Sequence, residues 1–286
     1  MDVTRRVERA LERHLAGRDA PPRLGAALRH AIFPGGARVR PKLAIGVALA
    51  CGDDRPAVAD ALAVAVECLH CASLVHDDLP CFDDAAVRRG RPSVHAAYGE
   101  PLAVLTGDAL IVLAFQALAD VGVAAGERLP PLVDILARSA GTPSGLVGGQ
   151  AMESEEACDL GAYHAAKTGV LFAAAAAGGA AAAGGDVALW RRIGDGLGAA
   201  YQIADDVHDH VARPADHGKP TGQDAAHGRP SAVAAHGLSG AIAALKRQIE
   251  ETVGAIPEGP SAAFLRELMR EQVMRFVPSE QLAIPA

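Results

Sequence analysis

The sequence predicts an all-α fold, and three observations carry the prediction. Apolar residues recur at helical spacing almost everywhere along the 286 residues, separated by short Gly and Pro punctuation. Half of the residues are apolar but only 3% are aromatic, so the core must be built from Ala, Leu, Val and Ile, which suits closely packed helices. No series of alternating β-branched strands, no P-loop and no GxGxxG opening a βαβ unit is present. One core can grow to about 250–300 residues, and no composition break forces a split. The expectation is therefore a single large helical domain over 1–286, with an N-terminal helix in 1–20 and a tail at 276–286 at its periphery.

The elements follow from local chemistry. MDVTRRVERALERHL reads as an amphipathic surface helix without the apolar run of a signal peptide. After PPRLG comes the short segment ALRHAIF, then the turn PGGARVRP and a helix over about 41–50. A long helix is expected from Asp53 or Asp54, as cap, through Pro56 in the first turn to Asp78, with Pro80 ending it. RRGRPSVHAAYGEP is a connector, and LAVLTGDALIVLAFQALAD is a second long apolar helix. Further helices are expected near 127–139, 143–153, 159–183, 187–211, 230–236, 238–254 and 260–275, with a polar Gly-rich loop at 212–230. VLFAAAAAGGAAAAGG, at 170–185, is the most membrane-like stretch, but it falls short of the roughly 20 residues a span needs and is read as a tight helix crossing.

Composition excludes several functions. Acidic residues outnumber basic ones 34 to 27, and no basic stripe with interleaved aromatics marks a nucleic-acid binder. Five cysteines form no secreted framework, and the Cys68-x-x-Cys71 pair lies inside the apolar run LAVAVECLHCASLV, without the turn of a zinc knuckle. The cytoplasm is the default location, with no membrane span expected.

The chemistry is concentrated in two acidic clusters. HDDLPCFDDAAVRRG holds Asp77, Asp78, Asp83 and Asp84, and YQIADDVHD holds Asp205, Asp206 and Asp209. Asp205 and Asp209 share a helix face, where like charges repel unless a cation lies between them. Hard oxygen donors without clustered His or Cys point to magnesium, which is usually held by carboxylates together with substrate phosphate. Phosphate partners are at hand in Arg38, Arg40, Arg88, Arg89, Lys167 next to Thr168, and Lys219. With no P-loop, nucleotide hydrolysis is not the natural reading. Carboxylates at the ends of apolar helices instead suit a diphosphate head on a long hydrocarbon tail, and ionisation of a C–O bond.

At these residues the chain resembles the trans-isoprenyl diphosphate synthases, most closely the bacterial geranylgeranyl diphosphate synthases of carotenoid and bacteriochlorophyll pathways. DDLPCFD is similar to the family's first aspartate-rich motif, and YQIADD with Asp209 to its second; VRRGRPSVH, LTGDAL, the GGQ at 148–150 and HAAKTG match blocks between them. The resemblance implies an isoprenoid-synthase fold with central helices around a deep apolar cavity, a homodimer, and head-to-tail condensation of isopentenyl diphosphate with allylic diphosphates. It further implies three magnesium ions with diphosphate bound, two on Asp77 and Asp83 and a third on Asp205, with Asp78 and Asp206 counted among the catalytic carboxylates. Arg88, Lys167 and Lys219 would grip the allylic diphosphate, with Thr168 and Gln202 beside them, and Arg40, His70 and Arg89 would hold isopentenyl diphosphate.

Two positions depart from the family pattern. Ala37 stands where the family usually has a phosphate-binding lysine, and Arg229 where it often has a lysine. Weaker isopentenyl diphosphate binding follows from the first. Product length is partly legible in Ala72 and Ser73, which lie about 6–8 Å below Asp77 along a helix rising 1.5 Å per residue. Small side chains there leave room for a growing tail, so the expected product is C20. A farnesyl diphosphate synthase, making C15, shares every motif and is the nearest alternative. A terpene cyclase lacks use for the second diphosphate site, and a regulatory synthase subunit is favoured only by Ala37.

Overall fold

Helices α1 to α4 span Val3–Ala16, Pro22–Ile32, Val39–Ala50 and Pro56–Asp77. They belong to a computed structural model that describes residues 2–16, 19–33, 36–155, 159–211, 231–259 and 261–275. A two-residue hairpin follows, β1 (Val87–Arg88) antiparallel to β2 (Arg91–Pro92), then α5 (Val94–Tyr98), α6 (Glu100–Asp120), α7 (Gly122–Ala125) and α8 (Leu129–Ala140). Next come α9 (Leu146–Ala151), α10 (Leu160–His164), a π turn over Ala165–Gly169, and α11 (Val170–Ala183). The long α12 (Val187–Val211), α13 (Ala232–Gly254) and α14 (Ala262–Met274) complete the described chain.

The residues pack in two units, one of 1–137 with 178–185 and the other of 138–177 with 186–286. In the first, α4 is the central helix and packs on α6, α3 and α1. Fifteen of its residues are buried, among them Leu62, Leu69 and Ala72, so its apolar surface runs almost all round, as expected of a core helix. Low aromatic content is matched by glycine contacts: a Cβ on Gly178 would lie 2.8 Å from both Leu62 methyls, and one on Gly179 only 2.5 Å from the Ala44 carbonyl oxygen. In the second unit α12 is central, packing on α13, α14 and the π turn.

Several expectations are corrected. Neither Asp53 nor Asp54 caps α4; the preceding residue is Arg55, which makes no side-chain cap bond, while Arg6 Nη2 donates to the Pro56 carbonyl at 3.0 Å. Asp53 instead takes Arg6 Nη1 at 2.6 Å, and Asp54 takes Arg128 Nη1 at 2.6 Å, because a charged guanidinium competes better for a carboxylate than a backbone N–H does. Arg6 also bonds Asp60 at 2.6 Å, which ties α1 to the first turns of α4. The connector expected at 88–101 begins within a hairpin: Arg89 and Gly90, at φ 54° and 73°, make the two-residue left-handed turn that suits strand twist. The two C-terminal helices expected near 230–236 and 238–254 are present within α13: they meet at Gly237, whose φ of 67° and ψ of 168° are not helical.

The membrane-like stretch is also reassigned. Among the described residues three helical runs are long and apolar enough to cross a membrane, and Glu100–Asp120 is more apolar than Gly161–Ala183. Burial inside the structure covers 78% of the apolar window of Pro56–Asp77 and 72% of that of Gly161–Ala183, as core helices require, but 44% of that of α6.

Candidate active site

The first aspartate motif begins where α4 ends. Beyond Asp77 the chain cannot continue as a helix through Pro80, and it doubles back. Asp83 N–H donates to the Asp77 carbonyl at 2.9 Å, Asp84 N–H to Leu79 O at 3.1 Å, and Ala85 N–H to Asp78 O at 3.1 Å. This loop sets half-buried Asp83 beside buried Asp77. The adjacent carboxylate turns elsewhere: Asp78 is 2% exposed and accepts from Arg88 Nε at 3.0 Å and from Nη2. The motif thus returns Asp83 to Asp77 through the backbone and spends the carboxylate of Asp78 on an arginine.

His76, just before the motif, lies against α6. A Cβ on Gly107 would fall 2.0 Å from His76 Nε2, so only glycine at 107 admits the imidazole, which reaches toward Val104 O at 3.4 Å.

The hairpin sends its two arginines apart. Arg88 turns to Asp78, while Arg89 Nη2 comes within 3.4 Å of His70 Nε2. Arg40 Nη1 approaches the same nitrogen at 3.5 Å. His70 is half-buried, and burial, then Arg40 and Arg89, push its pKa well below the usual histidine range. A neutral imidazole between two guanidiniums keeps both cations together without adding a third positive charge. Gly36 completes the arrangement, since a Cβ there would lie 2.9 Å from Arg89 Cζ. A small cleft of about 40 Å³ runs alongside, lined by Cys71, Asp78, Arg88, Arg89, Arg91 and Ser93 among others.

Below the motif, Ala72 is 2% exposed and Ser73 is half-buried, its hydroxyl donating back to His70 O at 2.9 Å. Cys68 and Cys71 are buried, and burial followed by Glu67 pushes the Cys71 thiol up to about 12, so it is unreactive at neutral pH. Glu67 itself is 2% exposed and pairs with Arg38, which also bonds Glu8 at 2.8 Å and Ile32 O at 2.9 Å. Arg38, offered by the sequence as a phosphate partner, is consumed as a buried strap.

In the second unit the π turn carries Lys167 and Thr168. α12 approaches it backbone to backbone, because a Cβ on Gly198 would lie 2.8 Å from Gly169 Cα, and one on Gly194 2.7 Å from Ala173 Cα. One turn beyond Gly198 stands Gln202, whose amide donates to Asp206 Oδ1 at 3.0 Å; the Ala232 N–H donates to Asp206 Oδ2 at 2.7 Å. Asp206 therefore secures the start of α13, while Asp205 and Asp209 lie on the exposed face of α12. Lys167 donates to Glu153, which also takes the Tyr163 hydroxyl. The sequence offered Lys167 but not Glu153 or Tyr163. Lys219 and Arg229 lie outside the described residues.

Among the described residues no three His, Cys, Asp or Glu side chains converge on a common point. Asp77 and Asp83 have the hard oxygen donors that a metal site there would use, without a closed protein shell. That fits magnesium, which seldom occupies an all-protein cage and fills its octahedron with substrate phosphate and water.

The comparisons with known proteins agree with this chemistry. The polyprenyl synthetase family model matches residues 21–268, and the chain belongs to that family, a class of prenyltransferases. It is 49% identical over 286 residues to a geranylgeranyl diphosphate synthase of Cereibacter sphaeroides, covering 99% of both chains. A farnesyl diphosphate synthase of Geobacillus stearothermophilus is 35% identical over 281 residues, covering 92% of this chain and 93% of the relative. Among solved structures, a Helicobacter pylori geranyltransferase complexed with magnesium and isoprenyl diphosphate superimposes with a TM-score of 0.80 at 29% identity, covering 96% of each chain.

Proposed function

We propose that the protein is a magnesium-dependent prenyltransferase that condenses isopentenyl diphosphate with allylic diphosphates and releases mainly geranylgeranyl diphosphate, C20. The observation that carries the reading is the backbone fold-back that returns Asp83 to Asp77 while Arg88 is held by Asp78, acidic residues and a cation gathered at the end of one apolar helix. The strong likeness to the Cereibacter sphaeroides enzyme supports the product assignment. Asp77, Asp83 and Asp205 would hold magnesium together with substrate phosphate, and the metal would draw negative charge onto the departing diphosphate.

The chain's own residues do the rest. Arg88, oriented by Asp78, and Lys167, with Thr168 and Gln202 beside it, bind the allylic diphosphate, as does Lys219. Arg40 and Arg89, held around neutral His70, bind isopentenyl diphosphate, without the lysine the family usually adds at 37. As the allylic C1–O bond breaks, its electrons leave with the diphosphate. The isopentenyl double bond then bonds to C1, and a proton passes from the isopentenyl C2 to a diphosphate oxygen. No protein general base is required.

Residues 1–286 act as one polyprenyl synthase domain in the cytoplasm, as a homodimer. The support for the dimer is α6, between the two aspartate motifs, where Val104, Leu105 and Val112 are 42%, 52% and 55% exposed; a second copy covers such a face.

Small Ala72 and Ser73 leave the tail room to pass. With farnesyl and isopentenyl diphosphates the protein yields C20, and with geranyl diphosphate Ala72→Phe, or Ser73→Phe if the buried site rejects the larger ring, stops at C15. An unchanged C20 output from both variants would remove these positions from the control of length.

A further inference from the structure

Glu153 sits in the short turn Met152–Ser154 that follows α9. Its Oε1 accepts from both the Tyr163 hydroxyl and the Lys167 ammonium, and its Oε2 accepts from Gln150 Nε2 at 3.0 Å. The Lys167 and Glu153 side chains are 24% and 20% exposed, so water screens this ion pair only in part. Lys167 Nζ also stands 5.6 Å from the centre of the Tyr163 ring, which places the cation against an aromatic face as well as a carboxylate. Three donors on one carboxylate are more than a surface ion pair needs, and one of them, Lys167, is the residue read above as binding the allylic diphosphate.

We propose that Glu153 is a positioning residue that competes with the diphosphate for Lys167. The inference rests on the reading that Lys167 binds the allylic diphosphate. A lysine is a single point charge on a flexible stem. When phosphate oxygens arrive, the ammonium turns toward them, and Gln150 and Tyr163 remain to hold the carboxylate back from the anion. When the inorganic diphosphate must leave, Glu153 takes the ammonium again. The carboxylate thereby weakens diphosphate binding and favours release.

The test uses the full chain with inorganic pyrophosphate as an inhibitor competing with the allylic substrate. Glu153→Gln keeps shape and removes charge, so the inhibition constant and the allylic KM are expected to fall about two- to fivefold, the scale of a partly screened pair, while the isopentenyl KM stays constant. Tyr163→Phe removes a donor that shares Oε1, so Lys167 is held harder and pyrophosphate binds more weakly. Unchanged or weaker pyrophosphate binding by Glu153→Gln overturns the competition. If that variant does not fold, Tyr163→Phe decides alone, and unchanged or tighter binding overturns it. Lys167→Ala separates the two claims: if pyrophosphate inhibition survives it unchanged, the role of Lys167 is wrong, whereas a weakened inhibition with an inert Glu153→Gln removes only the competition.

Discussion

Replacing Gly198 by alanine tests whether the approach of α12 to the π turn sets the site. The added Cβ would lie 2.8 Å from Gly169 Cα, and neither partner is a side chain that can swing away. Ordinary contact begins near 3.4 Å, so the two backbones must part by about 0.6 Å. Overpacking of this kind costs about 1–3 kcal/mol, while alanine in place of glycine inside a helix returns about 1 kcal/mol. The clash wins by a small margin, and the expected loss of stability is about 0–2 kcal/mol. Activity is the more sensitive readout, because the displacement separates Lys167 and Thr168 from Gln202 and Asp205. A misplacement near 1 Å costs on the order of a hundredfold, so about tenfold in kcat/KM for the allylic substrate is expected here. Steady-state condensation of labelled isopentenyl diphosphate, with thermal melting alongside, gives both numbers. Gly254→Ala, where a Cβ meets nothing within 4 Å, is the control and should be neutral or stabilising. A folded Gly198→Ala protein with parental kcat/KM would refute the reasoning.

Two further outcomes follow from the first unit. In Gly36→Ala the clash falls on the Arg89 guanidinium, 2.9 Å away, which can move at little cost in stability. The isopentenyl KM should then rise about tenfold, the scale of one charge-assisted contact, with the allylic KM unchanged; equal effects on both would disconnect Arg89 from one substrate. His70 predicts a pH dependence. Its folded pKa lies well below the ordinary 6.5, so below that pH the unfolded chain takes up the proton more readily. The contribution is fully present above pH 6.5 and is lost as the pH falls from there toward the folded pKa. Urea denaturation at pH 7.5 and 5.5 should show the decline, and His70→Asn should reduce it; an equal decline in the variant would assign it to other groups.

How much of this was legible depended on whether a feature is local. α4, α6 and α12 could be read because their apolar periods are long and Pro56, Pro80 and the glycines mark their ends. The first aspartate motif was legible for the same reason, since the fold-back of Asp83 onto Asp77 is closed by bonds within one short segment. Features made by tertiary approach left no such trace. Asp53 and Asp54 have the chemistry of caps, and only the positions of Arg6 and Arg128 turn them into ion-pair partners. Gly36, Gly107 and Gly198 look like any loop or helix glycine until the groups opposite them, Arg89, His76 and Gly169, are in place. Asp77 and Asp78 are equivalent in sequence, yet consecutive side chains point in different directions, and one is taken by Arg88. Glu153 was indistinguishable from its neighbours in MESEE. The Arg89-Gly90 hairpin was missed because its turn uses arginine at a left-handed position that usually selects asparagine or aspartate.

The most direct test of the central claim is the chain length of the product formed by the purified protein from labelled isopentenyl diphosphate and dimethylallyl, geranyl or farnesyl diphosphate, with and without magnesium. The account predicts mostly C20 from all three in the presence of the metal and none in its absence. A stop at C15 would contradict the open path past Ala72, and no condensation with any of the three would contradict the assignment of this chain as a prenyl-transferring enzyme.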